Sequence, residues 1–156
     1  MQFVKRVTTS DELERLLKST PGFLGVFSRD TIPNVNWDKR FSFIMNLNRM
    51  GESGSHWVAV YHDGRDEKTV DYFDSFGMPP PEEIIDWRGR KPIAFNDAAV
   101  QDLQSTACGY FCVAFIKSMT SGFTYDKFMK QFKQADERTG YYLSRKDGLY
   151  NEKRVV

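Results

Sequence analysis

A cysteine, a histidine, an aspartate and two glutamines are the residues of this chain whose types and spacing can do chemistry together. Cys108 closes the stretch Gln101-Asp102-Leu103-Gln104-Ser105-Thr106-Ala107-Cys108. Ser105 and Thr106 stand where helix caps stand, and an apolar run from Tyr110 to Ile116 follows, so the sulfur is predicted in the first turn of a helix. The unpaired N–H groups and dipole of a helix N-terminus favour a thiolate, the nucleophilic form of cysteine. The competing reading is a small buried hydrophobe, the commonest fate of a cysteine at a helix start. The nucleophilic reading therefore requires a base, a group that orients the base, and donors for an oxyanion.

The base and its orienter come from a predicted hairpin. Ser55 to Tyr61 reads as a strand with His56, Val58 and Val60 on one face and Trp57, Ala59 and Tyr61 on the other. After the Asp63-Gly64 turn signal, Thr69 to Asp74 reads as the next strand, paired antiparallel. Starting the pairing from Tyr61 or His62 with Lys68 places His56 opposite Phe73 or Asp74, and the register that joins His56 to Asp74 puts both side chains on one face. Asp71 falls on the other face, as an exposed polar residue of a half-solvated sheet. Gln101 and Gln104, both on the loop before Cys108, are rival side-chain donors to the oxyanion, beside the Cys108 backbone N–H.

Other chemistries fit less well. Zinc would need Cys108, Cys112, His56 and His62, but six residues along a strand separate the two imidazoles by roughly 20 Å. The acid pairs Asp11-Glu12 and Glu82-Glu83 are explained by helix starts, and no glycine-rich phosphate loop is present. No metal or cofactor is implied. Twenty-two Lys and Arg against 21 Asp and Glu leave a formal charge of +1, so no global field draws the chain to nucleic acid or membrane. Basic residues Arg145, Lys146, Lys153 and Arg154 read as scattered surface charge, with a nucleic acid or a partner peptide as the alternative contact. Cys108 and Cys112, four apart in one helix, are poorly aimed for a disulfide, which fits reduced thiols and an intracellular setting. No secretory leader and no membrane-length apolar run are expected.

The elements that must position these groups are legible in order. Thr9-Ser10-Asp11-Glu12 is a capping box opening a helix whose face is Leu13, Leu16 and Leu17, stopped by Pro21-Gly22. Strands are predicted at Phe23–Phe27 and Phe41–Leu47, a short helix after Pro79-Pro80-Pro81, and a minor strand at Pro92–Phe95. Thr124 caps a last helix with Phe128, Phe132 and Ala135 on one face. At 156 residues, with no repeats or linker, the chain reads as one α+β domain over residues 1–156.

The order Gly54-Ser55-His56-Trp57, then Phe73-Asp74-Ser75-Phe76-Gly77, then Val100-Gln101 and Ala107-Cys108-Gly109-Tyr110-Phe111-Cys112 resembles the adenovirus-type maturation proteases, which share a fold with the Ulp1-like SUMO proteases. The resemblance spans roughly residues 23 to 118. It implies a papain-like cysteine peptidase fold, a central twisted β-sheet flanked by helices. It also implies His56 as general base, Asp74 as its orienter, Cys108 as nucleophile and Gln101 rather than Gln104 in the oxyanion hole. The seven-residue gap from Gln101 to Cys108 resembles the viral branch, whereas aspartate rather than glutamate at Asp74 resembles the cellular one. A compact chain fits a viral maturation protease, acting in the virion and the host cell interior on capsid or core precursors cut after a small residue, commonly glycine. Trp57 then walls the narrow substrate channel, or is an ordinary core tryptophan. The alternatives are an isopeptidase that removes SUMO or ubiquitin-like modifiers, in the cytoplasm or nucleus, and a non-catalytic interaction module of the same fold.

Overall fold

The computed structural model describes residues 9–48, 56–65, 68–100 and 107–132. Helix α1 (Ser10–Leu17) starts at the predicted capping box: the Thr9 hydroxyl accepts from Glu12 N–H while the Glu12 carboxylate accepts from Thr9 N–H. Leu13 and Leu17 are buried, but Leu16 is 42% exposed, so the apolar face is narrower than its leucines suggest. Strands β1 (Phe23–Ser28), β2 (Phe41–Asn46), β3 (Trp57–His62), β4 (Val70–Phe73) and β5 (Ile93–Phe95) form one sheet in the order β1-β2-β3-β4-β5. The sheet is mixed, with parallel pairs at both edges and antiparallel pairs through the middle. Helix α2 (Glu82–Trp87) connects β4 to β5, and α3 (Cys108–Thr120) and α4 (Tyr125–Lys130) follow. The architecture is the expected α+β one.

Two apolar layers sandwich the sheet. Trp57, Ala59, Tyr61 and Phe73 pack with α1, α3 and α4 on one side. Val58, Val60, Val70 and Tyr72 pack with Ile84 of α2 and, around the rim, with Trp37 and Trp87 on the other. Every residue of β3 is buried, which is why its sequence is apolar almost throughout. The core face of α3 is Cys108, Cys112, Phe115, Ile116 and Met119, a helical spacing that lays the whole element along β3 and starts it at the sheet's rim. Thr124 caps α4 as predicted, but the helix stops at Lys130; Phe132 is partly buried beyond it, and Ala135 lies outside the described residues.

No helix among the described residues is long and apolar enough to cross a membrane.

Candidate active site

His56 immediately precedes β3 and Asp74 immediately follows β4. Because those strands are antiparallel neighbours, the start of one and the end of the other share a rim, and both residues lie there. The register differs from the expectation. Ala59 pairs with Phe73, Val60 with Tyr72 and Tyr61 with Asp71, so counting outward sets His56 two residues out of step with Asp74. The reason is the connection: Arg65 N–H bonds the Asp63 carboxylate, and Lys68 N–H bonds the Arg65 carbonyl. The second of these bonds takes up Lys68, the residue from which the expected pairing started. A shift of two preserves the face, so the side chains still meet, diagonally rather than directly across.

The contact is short and buried. His56 Nε2 and Asp74 Oδ1 are 2.6 Å apart, with side-chain exposures of 16% and 0%. Asp74 Oδ1 also accepts from Phe76 N–H at 2.8 Å, and Gly77 N–H closes a turn onto the Asp74 carbonyl at 2.8 Å. Gly77 has φ +75°, and a Cβ there would come within 2.5 Å of the Ala98 backbone. The Phe76 ring stacks on the imidazole at 4.5 Å between centroids and 14° between planes. The following chain is tied to this turn, since Val100 N–H donates to the Ser75 carbonyl at 2.9 Å.

Cys108 is the first residue of α3, buried at 4% exposure, so the predicted placement of the sulfur at a helix start is found. The cap is not as predicted. Ala107 takes the N-cap position and offers no side-chain bond, while Ser105 and Thr106 lie outside the described residues. The imidazole responds to both neighbours. Burial alone pulls the His56 pKa down, but hydrogen bonding to Asp74 and Cys108, with their negative charge, overrides it and raises the value from 6.5 to about 9. Nε2 is taken by Asp74; Nδ1, buried without a hydrogen bond of ordinary length, is the nitrogen left for the sulfur. Cys112, one turn on, is fully buried, and burial pushes its thiol well above the ordinary value.

The remaining candidates fall as follows. Trp57 is buried, at 7% exposure, in the apolar layer that also holds Cys108. Gln101 and Gln104 lie outside the described residues, as do Arg145, Lys146, Lys153 and Arg154. His62 ends β3 at the far rim, its two ring nitrogens each 3.1 Å from a backbone carbonyl, those of Thr69 and Trp37. Its role there is structural. Asp71 does lie on the opposite face, but it is half-buried rather than exposed. It accepts the Thr69 hydroxyl at 2.6 Å and lines a cavity of about 450 Å³ with Tyr61, Met119 and Tyr125; burial raises its carboxyl to about 7. No cluster of three or more potential metal ligands occurs among the described residues. Sequence reading missed Phe76 as the stacking partner of His56, although the aromatic-glycine turn was visible, and it missed Asn96, which bonds the Asp74 backbone.

No family model matches the chain. Among curated proteins, the SUMO-1 cysteine protease of African swine fever virus is 28% identical over 102 residues, 57% of this chain and 37% of that protein. The proteases of porcine adenovirus A serotype 3 and frog adenovirus 1 are 26% and 30% identical over 128 and 130 residues, covering 70% and 71% of this chain and 62% and 63% of theirs. The chain thus spans little over a third of the first relative and somewhat less than two thirds of the adenovirus ones. Among solved structures, a crystal structure of the African swine fever virus protease aligns with TM-score 0.47 at 20% identity, over 76% of this chain and 58% of that one. A SUMO protease Ulp1 with its catalytic cysteine oxidized to a sulfenic acid aligns with TM-score 0.47 at 14% identity, over 91% and 80%. The sequence matches to these viral cysteine proteases place the chain in the adenain/Ulp1-like cysteine protease superfamily.

Proposed function

We propose that this chain is a cysteine endopeptidase working through Cys108, His56 and Asp74, with Gln101 as oxyanion donor. The observation that carries the reading is the buried 2.6 Å His56–Asp74 contact beside a cysteine that opens a helix, which keeps the imidazole protonated to about pH 9. A protonated imidazole next to the sulfur is the partner of a thiolate.

In the acylation step the Cys108 thiolate adds to the scissile carbonyl carbon, forming a C–S bond and moving the carbonyl electron pair onto oxygen. The Cys108 backbone N–H, at the start of α3, and the Gln101 side-chain amide receive that charge. When the carbonyl re-forms, the C–N bond breaks and His56 gives its proton to the leaving amine. Neutral His56 then takes a proton from water, whose hydroxide opens the thioester, releasing the acid and restoring thiolate and imidazolium. Asp74 holds Nε2 throughout. Trp57 walls the substrate channel beside the sulfur.

The substrates proposed are viral capsid or core precursors with glycine-containing junctions, cut in the virion and the host cell interior. The viral relatives support this choice, and the SUMO protease name of one of them supports deconjugation as the second reading. The test offers glycine-junction precursor peptides beside SUMO and ubiquitin-like conjugates. Selective cleavage of the peptides, abolished in Cys108→Ala, is expected; selective processing of the conjugates would overturn the choice of substrate.

A further inference from the structure

The acid of the site is held from behind as well as from the front. The parallel ladder between β4 and β5 ends at Tyr72 opposite Phe95, so no strand residue serves the N–H and C=O of Asp74. Asn96, the residue after β5, serves both with one side chain. Its Oδ1 accepts from Asp74 N–H at 3.1 Å, and its Nδ2 donates to the Asp74 carbonyl at 2.6 Å. The second Nδ2 hydrogen reaches the Ala98 carbonyl at 3.2 Å. On the far side stands the Tyr125 hydroxyl of α4, whose one proton is shared between the Tyr72 carbonyl at 2.6 Å and Asn96 Oδ1 at 3.0 Å. Asn96 and Asp74 are both fully buried.

A carboxamide is suited to this place because it carries a donor and an acceptor side by side in one plane. Aspartate would turn lone pairs toward the carbonyls of Asp74 and Ala98, and an alkyl side chain would take away the acceptor of the buried Asp74 N–H. A strand one residue longer would satisfy the same backbone groups. What the side chain adds is a connection from α4, through Tyr125 and Asn96, to the backbone of the residue that grips His56. Aspartate has a short side chain, so fixing its backbone fixes Oδ1 to within a small arc.

We infer that Asn96, braced by Tyr125, is a positioning residue for the His56–Asp74 pair, so that the aim of the acid depends on how α4 docks. This rests on the peptidase reading of the same site. Displacement of Oδ1 by about 1 Å would weaken the imidazolium and cost on the order of 10²-fold in turnover.

The test uses Asn96→Ala and Tyr125→Phe in the full chain. Three quantities are followed: the NMR titration of the His56 ring, kcat and KM on a peptide the wild type cleaves, and thermal unfolding. The expected result is a His56 midpoint moved down from about 9 in both variants, with kcat reduced roughly 10- to 100-fold in Asn96→Ala, several-fold in Tyr125→Phe, and KM little changed. If Asn96→Ala fails to fold, Tyr125→Phe, which removes one hydroxyl, decides. Variants that unfold at lower temperature yet keep the wild-type midpoint and kcat would overturn the inference, leaving Asn96 a structural residue. Failure of the peptidase reading looks different, because it appears in the wild type itself as Cys108 reactivity indifferent to His56→Ala.

Discussion

Replacing Asp74 by asparagine removes one negative charge while keeping nearly the same shape, and its effect is legible first in the proton affinity of His56. At 2.6 Å, two unit charges at an effective dielectric near 20 attract by roughly 6 kcal/mol before desolvation is subtracted. The net rise from 6.5 to about 9 corresponds to about 3 kcal/mol, burial having already opposed it. Asp74 heads the effects that raise the value, ahead of Cys108. Its loss should therefore lower the midpoint by roughly two pH units, to about 7 or below. At pH 7.5 the ring would pass from about thirty protonated molecules per neutral one to a mostly neutral population. The assay is a heteronuclear NMR titration of the imidazole, with His56→Ala identifying the resonance among the two histidines. Cys108→Ala should lower the midpoint as well, by less. A midpoint in Asp74→Asn within half a unit of the wild type would refute the proposed coupling.

Three further outcomes follow from the same geometry. Since the folded-state pKa of His56 lies above the unfolded value, its contribution to stability is fully present below about pH 6.5 and is lost as pH rises through about 9. Denaturant unfolding should show a loss of on the order of 1–3 kcal/mol between pH 6.5 and 9.5 that is absent in His56→Ala; an equal loss in both proteins would contradict it. Gly77→Ala places a Cβ against Ala98 backbone at φ +75°, and should cost about 1–3 kcal/mol from strain alone while disturbing the Asp74 turn; a calorimetric scan unchanged from wild type would show that the turn relaxes freely. Gln101→Ala should slow peptide cleavage by about 10²-fold with Gln104→Ala near normal, and the reverse ranking would reassign the oxyanion donor.

Local chemistry made much of the scaffold readable. The capping box of α1, the Thr124 cap of α4, the alternation of β3 and the start of α3 at Cys108 all depend on neighbouring residues, and all stand where the sequence put them. The hairpin partners were readable too, but not their register, because the Asp63–Arg65 and Arg65–Lys68 turns are made by side-chain and backbone bonds that no alternation reports. The parallel edges were not legible: residues 29–40 join β1 to β2 without a helical period, and nothing local shows that β5 lies beside β4. That hidden adjacency is what brings Asn96 under Asp74, so the support of the acid was invisible where the acid itself was not. Asp71 shows the same limit, since Met119 and Tyr125, which line the same cavity, come from helices some 50 residues later.

The central claim is that Cys108 is a thiolate sustained by His56. The most direct measurement is the rate of iodoacetamide alkylation of Cys108 against pH, in wild type and His56→Ala, with peptide mapping to separate it from the buried Cys112. Rapid labelling of Cys108 extending well below pH 8 in the wild type, lost in His56→Ala, with Cys112 unlabelled in the folded protein, is the predicted result. Labelling of Cys108 that rises only near pH 8.5, as for a free thiol, and is the same in both proteins would contradict it.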